Sequence, residues 1–182
     1  MSKKIIVLNG SPRKNGNTAV LIKSFADGAK ESGNDVTVFN LSEMNIHFCK
    51  GCYAGGKNPE SPCTQKDDMD KIYTEYQKAD IIVLASPLYF WSISGQLKCA
   101  FDRLFAVAEL DPHYKSPKKD CILLMTAEGK KFDDVIYNYD KLMIHMGWEG
   151  MGKMLIGGLK NNGDILNRPE LEEAKKLGLF IK

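Results

Sequence analysis

No run of apolar residues in this 182-residue sequence approaches the roughly 20 needed to cross a bilayer. No block of Lys and Arg is longer than two, and the formal net charge is only +2, so neither a membrane nor nucleic acid is indicated as a partner. The opening MSKKIIVLNG has two lysines but only four apolar residues before it turns polar. That is too few for a signal-peptide core, and the chain is expected to be cytoplasmic. The five cysteines, Cys49, Cys52, Cys63, Cys99 and Cys121, are an odd number, which without a secretion signal argues against a disulfide scaffold. There is no GxxxxGK[ST] loop for a nucleoside triphosphate and no GxGxxG dinucleotide fingerprint. No repeat, low-complexity tract or linker divides the chain, so residues 1–182 are expected to form a single domain. His113 and His145 have no partner constellation and are assigned no role.

What the sequence does contain is an alternation. Ile5–Leu8 reads as a buried strand, followed from Asn17 by a helical stripe of Leu21, Ile22, Phe25 and Ala29 that stops at Gly33-Asn34. Val36 and Val38, extending toward Leu41, give a second strand. Residues 42–66 show no periodicity and hold three of the cysteines. Asp67-Asp68 opens a helix with Met69, Ile72, Tyr73 and Tyr76 on one face. Ile81–Ala85 is apolar without alternation, as in a strand covered on both sides. A helix carrying Leu97, Phe101, Leu104 and Phe105 follows, then a strand at Cys121–Met125. A stripe of Phe132, Val135, Ile136, Tyr139, Leu142 and Met143 comes next, then a weaker strand at Met151–Ile156, and a last helix from Pro169 with Leu171 and Ala174. Five strands alternating with helices predict a doubly wound α/β fold with a parallel sheet.

Ligands of such sheets lie beyond the carboxyl ends of the strands. That rule selects three loops: 9–18, 86–94 and 126–129. The first, NGSPRKNGNT, offers hydroxyls, amides and the free N–H groups of a helix start, which suit an anion such as phosphate. A capped polar turn with no ligand is the alternative reading. The second places Pro87, Leu88, Tyr89, Phe90 and Trp91 where a loop should be polar. Aromatics there suit a flat ligand or a subunit contact, or they fold under the next helix as core. A phosphate pocket beside an aromatic slot fits flavin mononucleotide.

NGSPRKNGNT, SPLYFWSISGQLKCAFDR and the intervening CKGCYAGG…C…DDMDKIY resemble the NAD(P)H-dependent FMN reductases, nearest to the iron-sulfur flavoproteins and their clusterless relatives. The similarity runs through about residues 1–130 in motif order. It implies a flavodoxin-like doubly wound sandwich with a central five-stranded parallel sheet, order 2-1-3-4-5, and helices on both faces. It places Ser11, Arg13, Asn17 and Thr18 on the FMN phosphate. Pro87, Leu88, Tyr89, Phe90 and Trp91 fall along the flavin ring, largely through backbone amides. Ala127, Glu128 and Gly129 fall in the third loop. The implied activity is ping-pong hydride transfer from NADH or NADPH to FMN and on to a quinone, an azo or nitro compound or another small-molecule acceptor. The implied assembly is a homodimer or homotetramer with flavin near the subunit interface. The flavin carries the chemistry, so no catalytic side chain is named.

The resemblance aligns Cys49, Cys52 and Cys63 with three of the four cysteines that hold an iron–sulfur cluster. The fourth position falls near Gly55, which cannot bind iron, so neither a cluster nor another metal is expected. A zinc site with His47 has poor spacing. The loop is read as reduced thiols packing a lid near the cofactor. The alternative function is an electron carrier, flavodoxin-type or iron-sulfur-flavoprotein-type, without a dedicated small-molecule substrate. The near-neutral charge speaks against a flavodoxin. A regulatory module sensing redox state through the cysteine loop is a third class.

Overall fold

In the computed structural model, which describes residues 2–182, β1 (Lys4–Asn9) is an inner strand of a five-stranded sheet. Around it stand β2 (Asp35–Asn40), β3 (Ile81–Pro87), β4 (Asp120–Thr126) and β5 (Glu149–Ile156), all parallel, in the order β2-β1-β3-β4-β5. The strands with unbroken apolar runs are the central ones. Ile81–Leu84 and Cys121–Met125 are wholly buried, whereas the edge strands β2 and β5 are partly exposed. The implied doubly wound, flavodoxin-like topology is therefore the one observed.

Two helices, α1 (Asn17–Glu31) and α6 (Glu170–Leu179), cover one face. The other is covered by α2 (Met69–Lys78), α3 (Gly95–Arg103), a short α4 (Phe105–Ala108) and α5 (Asp133–Met146). The stripes read from spacing, Leu21, Ile22, Phe25 and Ala29 in α1 and Met69, Ile72, Tyr73 and Tyr76 in α2, are all buried. α1 and α6 pack backbone to backbone. A Cβ on Gly28 would overlap the Lys175 carbonyl oxygen, and one on Gly178 the Phe25 carbonyl oxygen.

Two boundaries differ from the sequence reading. Leu41 does not extend β2 but starts a short 3-10 turn, Leu41–Glu43. The helix over 95–105 is two pieces. Leu104 N–H bonds back to Phe101 O at 3.0 Å, which tightens the last turn, and Phe105 leaves the buried stripe to stack on Tyr114. No described helix is long and apolar enough to cross a membrane.

Candidate functional site

The loop after β1 is held by its neighbours at the carboxyl edge of the sheet. Gly10 N–H donates to Ala85 O at 2.8 Å, and the Ser94 hydroxyl donates to Gly10 O at 2.7 Å. Ser94 N–H donates to Ser86 Oγ at 2.8 Å, and Ser94 Oγ accepts from Leu97 N–H, capping α3. Glycine is required at position 10, since a Cβ there would lie 2.5 Å from Ser94 Oγ and 2.7 Å from Leu97 Cβ. Ser86 and Ser94 thus join the first and second loops. Neither stood out in the sequence, although a Ser before an apolar helical stripe is a cap signal.

The side chains carried over to the phosphate turn out to shape this loop. Ser11 N–H donates to Asn9 Oδ1 at 3.0 Å, and Ser11 Oγ accepts from Arg13 N–H at 3.2 Å. The buried Thr18 hydroxyl bonds to the Thr126 hydroxyl at 2.7 Å, tying the helix start to the end of β4. Asn17 donates to Asn161 O at 2.9 Å and accepts from the N–H groups of Gly163 and Ile165, so it pins the 161–165 turn to α1. Arg13 is exposed. The backbone N–H groups of Lys14, Asn15, Asn17, Thr18 and Ala19 have no partner among the described residues. Three of them form the open first turn of a 15-residue helix, where exposed amides and the helix dipole favour an anion. The loop's capacity for phosphate therefore lies in its backbone.

The second and third loops face each other. Leu88 N–H donates to Thr126 O at 2.9 Å, which binds the end of β3 to that of β4. Tyr89 and Ser92 exchange two backbone hydrogen bonds around a two-residue turn in which Phe90 (φ 45°) and Trp91 (φ 60°) are both left-handed. Aromatic residues there cost on the order of 1–3 kcal/mol each in backbone strain. Phe90 is 94% and Trp91 60% exposed, so they do not fold under α3 as core. Between the loops lies a groove of about 610 Å³, walled by Leu88, Tyr89, Phe90 and Trp91 and by Ala127, Glu128, Gly129, Lys130 and Lys131. Backbone N–H groups of Phe90, Trp91, Glu128 and Gly129 have no partner among the described residues. Pro87 closes β3 beneath the groove. Lys130 and Lys131 were not singled out in the sequence, though the pair directly follows Gly129. The Asn161–Ile165 turn lies in the tail, where no motif points to it.

The cysteine loop is held elsewhere. Asp67 takes Arg103 in a two-pronged pair at 2.8 and 3.2 Å and accepts the N–H groups of His47 and Met69, both at 3.1 Å. Arg103 also donates to His47 O and Gln65 O, so both ends of segment 47–65 hang on one guanidinium. Burial pushes the Asp67 carboxyl up, but Arg103 and the two N–H groups outweigh it and hold it below the usual carboxylate range. Cys49, Cys52 and Cys63 line a cavity of about 220 Å³ with Tyr53, Arg103, Phe105 and Glu109. Among the described residues no three His, Cys, Asp or Glu side chains come together as a metal site. The groove is walled by Leu88–Trp91, ahead of α3, whereas the cysteine cavity is lined by Asp102 and Arg103 of its last turn, where Arg103 anchors the loop.

A family model described as NADPH-dependent FMN reductase matches residues 3–133. An iron-sulfur flavoprotein of Archaeoglobus fulgidus is 38% identical over 100 residues, 55% of this chain and 48% of that one. An iron-sulfur flavoprotein of Clostridioides difficile is 30% identical over 183 residues, 97% of this chain and 77% of that one. The chain spans about half the length of the archaeal relatives it matches. Among solved structures, the NAD(P)H:quinone oxidoreductase from Methanothermobacter marburgensis superposes with a TM-score of 0.74 at 18% identity, covering 98% of this chain and 96% of that one. At that identity the likeness is one of fold.

Proposed function

This chain belongs to the NADPH-dependent FMN reductase family, and we propose that it is an FMN-dependent NAD(P)H oxidoreductase acting on a small-molecule acceptor. One observation carries the reading: unpartnered backbone N–H groups at the start of α1 share the carboxyl edge of the sheet with an aromatic-walled groove of about 610 Å³. The first suits a phosphate and the second a flat ring, and FMN has one of each. Its phosphate is a handle to be gripped by amides, which accounts for a loop without the lysine of a phosphoryl-transfer site.

Bound FMN would supply the redox chemistry, taking a hydride from NADH or NADPH and yielding it to a quinone, an azo or nitro compound or a similar oxidant. The residues of the chain position it. The amides of Lys14, Asn15, Asn17, Thr18 and Ala19 would hold the phosphate, in a loop shaped by Ser11, Asn17 and Thr18. The unpartnered N–H groups of Phe90, Trp91, Glu128 and Gly129 would be available to the ring's polar atoms and to the negative charge that develops on reduction. Lys130 and Lys131 add positive charge at the same groove. Phe90 and Trp91, both exposed, would border the face of the ring that donor and acceptor use in turn. They also favour a homodimer or homotetramer with the flavin near the contact.

The test is anaerobic. Protein loaded with FMN should bleach with NADH or NADPH and regain its colour with a quinone; a chain that binds no FMN sinks the reading. Riboflavin, which lacks the phosphate, should bind at least about 100-fold more weakly than FMN, since two or more charge-assisted hydrogen bonds of about 1.5–3 kcal/mol each are lost. Equal affinities by fluorescence quenching would show that the α1 loop holds no phosphate. Replacing Phe90-Trp91 by Asn-Gly, which suits two left-handed residues, should raise the melting temperature. The same change should increase KM for the acceptor, measured by steady-state kinetics, because the aromatic wall is gone.

A further inference from the structure

Resting on the flavin reading for where electrons go, we infer that the cysteine loop holds no iron–sulfur cluster, that Glu109 fills the fourth ligand's place, and that electrons leave from the flavin groove itself. The relatives named above are iron-sulfur flavoproteins, and a four-iron cluster generally takes four thiolates. Here the fourth position is Gly55. A side chain at Gly55 has no room: its Cβ would overlap Glu109 Oε2 and lie 2.8 Å from Pro62 O. Gly56, at φ 72°, is packed as tightly, and a Cβ there would overlap the Glu109 carbonyl oxygen. The loop is thus closed directly onto the end of α4 by two glycines and one glutamate.

The three thiols differ in surroundings, although they line one cavity. Cys49 Sγ accepts Gly51 N–H at 3.4 Å, Cys52 Sγ meets the Thr64 hydroxyl at 3.6 Å, and Cys63 is buried. Neither remaining cysteine can complete a set. Cys121 is sealed inside β4, and Cys99 lines a different groove with Pro12, Leu41 and Met44. What holds the loop is the Asp67–Arg103 pair.

The experiment treats the whole chain, loaded with FMN, with ferrous iron, sulfide and a thiol reductant under anaerobic conditions. Iron, acid-labile sulfide and iodoacetamide labelling are then measured. The expected result is no stoichiometric sulfide, with Cys49 and Cys52 labelled as readily after treatment as before and FMN content unchanged. Matching iron and sulfide with Cys49, Cys52 and Cys63 all protected would overturn the inference. Gly55→Cys alone should also stay cluster-free, while Gly55→Cys with Glu109→Gly should take up iron and sulfide. Uptake by Gly55→Cys alone would refute the placing of Glu109. Should Gly55→Cys fail to fold, Glu109→Ala in the otherwise unchanged chain should remain cluster-free, and stoichiometric iron and sulfide there would show that three thiols suffice and overturn the inference. Alkylation of Cys49 and Cys52 should leave quinone turnover unchanged; its loss would refute exit from the groove. FMN content is read separately after denaturation, so failure to bind flavin defeats the function proposed above without touching the iron result.

Discussion

Asp67→Ala is expected to cost about 3–5 kcal/mol of unfolding free energy, because it strands the Arg103 guanidinium in a site where both side chains are shut off from water, with side-chain exposures of 1% for Arg103 and 0% for Asp67. That is a large share of the roughly 5–15 kcal/mol by which a domain is stable. Urea unfolding followed by the fluorescence of buried Trp148 would measure it. Arg103→Met should be damaging for the same reason, since it leaves a carboxylate buried without its partner. The double replacement Asp67→Leu with Arg103→Met should recover much of the loss, as buried ion pairs often exchange for apolar packing at little net cost. If the two single changes simply added, the pair would not be the unit that holds this region. The pH dependence has a definite sign. Asp67 is held below its unfolded value near 3.9, so its stabilisation is fully present above about pH 4 and is lost as pH falls through the lower folded value. Urea unfolding repeated across that acid window should show the stabilisation falling away as the pH drops. Arg103 stays charged throughout and contributes no pH dependence there.

Gly28→Val is expected to undock α6. In an exposed helix a glycine-to-alanine change favours the folded state by up to about 1 kcal/mol, so propensity alone would make replacements at this position stabilising. Here the added atom meets the Lys175 carbonyl oxygen on a packed backbone that cannot turn aside. Overpacking of this kind costs about 1–3 kcal/mol even where side chains can adjust, and the larger figure is the floor between two backbones. Gly178→Val should do the same from the other side, against Phe25 and Ala29. Hydrogen exchange would show α6 and the buried Ile181 losing protection ahead of the sheet. Gly95→Ala is the control: no atom of the described residues lies within 4 Å of its Cβ, and it should be neutral or stabilising. Comparable losses at Gly95 and Gly28 would mean that contact with α6 is not what the glycine protects.

The central strands were legible because burial on both faces leaves a composition no loop imitates: Ile81–Leu84 and Cys121–Met125 can only be interior. The helices were legible where a full stripe is buried, as in α2, and less so at 95–105. There spacing cannot show that Arg103 turns inward to Asp67 and that the helix breaks after it. The candidate site was legible as three loops because strand order alone brings them to one edge. Its detailed chemistry was not. Ser11, Asn17 and Thr18 have the right groups for an anion, but sequence does not show that Thr126 and the 161–165 turn already occupy two of them.

Residue types and their periods by themselves determined the α/β alternation, the parallel sheet and the edge at which a ligand would sit; that Gly55 stands at a fourth cysteine's position came from the family resemblance. Those properties are local, or follow from chain order. Tertiary structure decided that amides at the start of α1 are left unpartnered, that Phe90 and Trp91 face outward, that the cysteine cavity lies at the far end of α3, and that Glu109 fills the space beside Gly55. Each depends on two segments far apart in sequence meeting in space, and a pattern along one chain carries no information about which distant atom will claim a given hydrogen bond or volume.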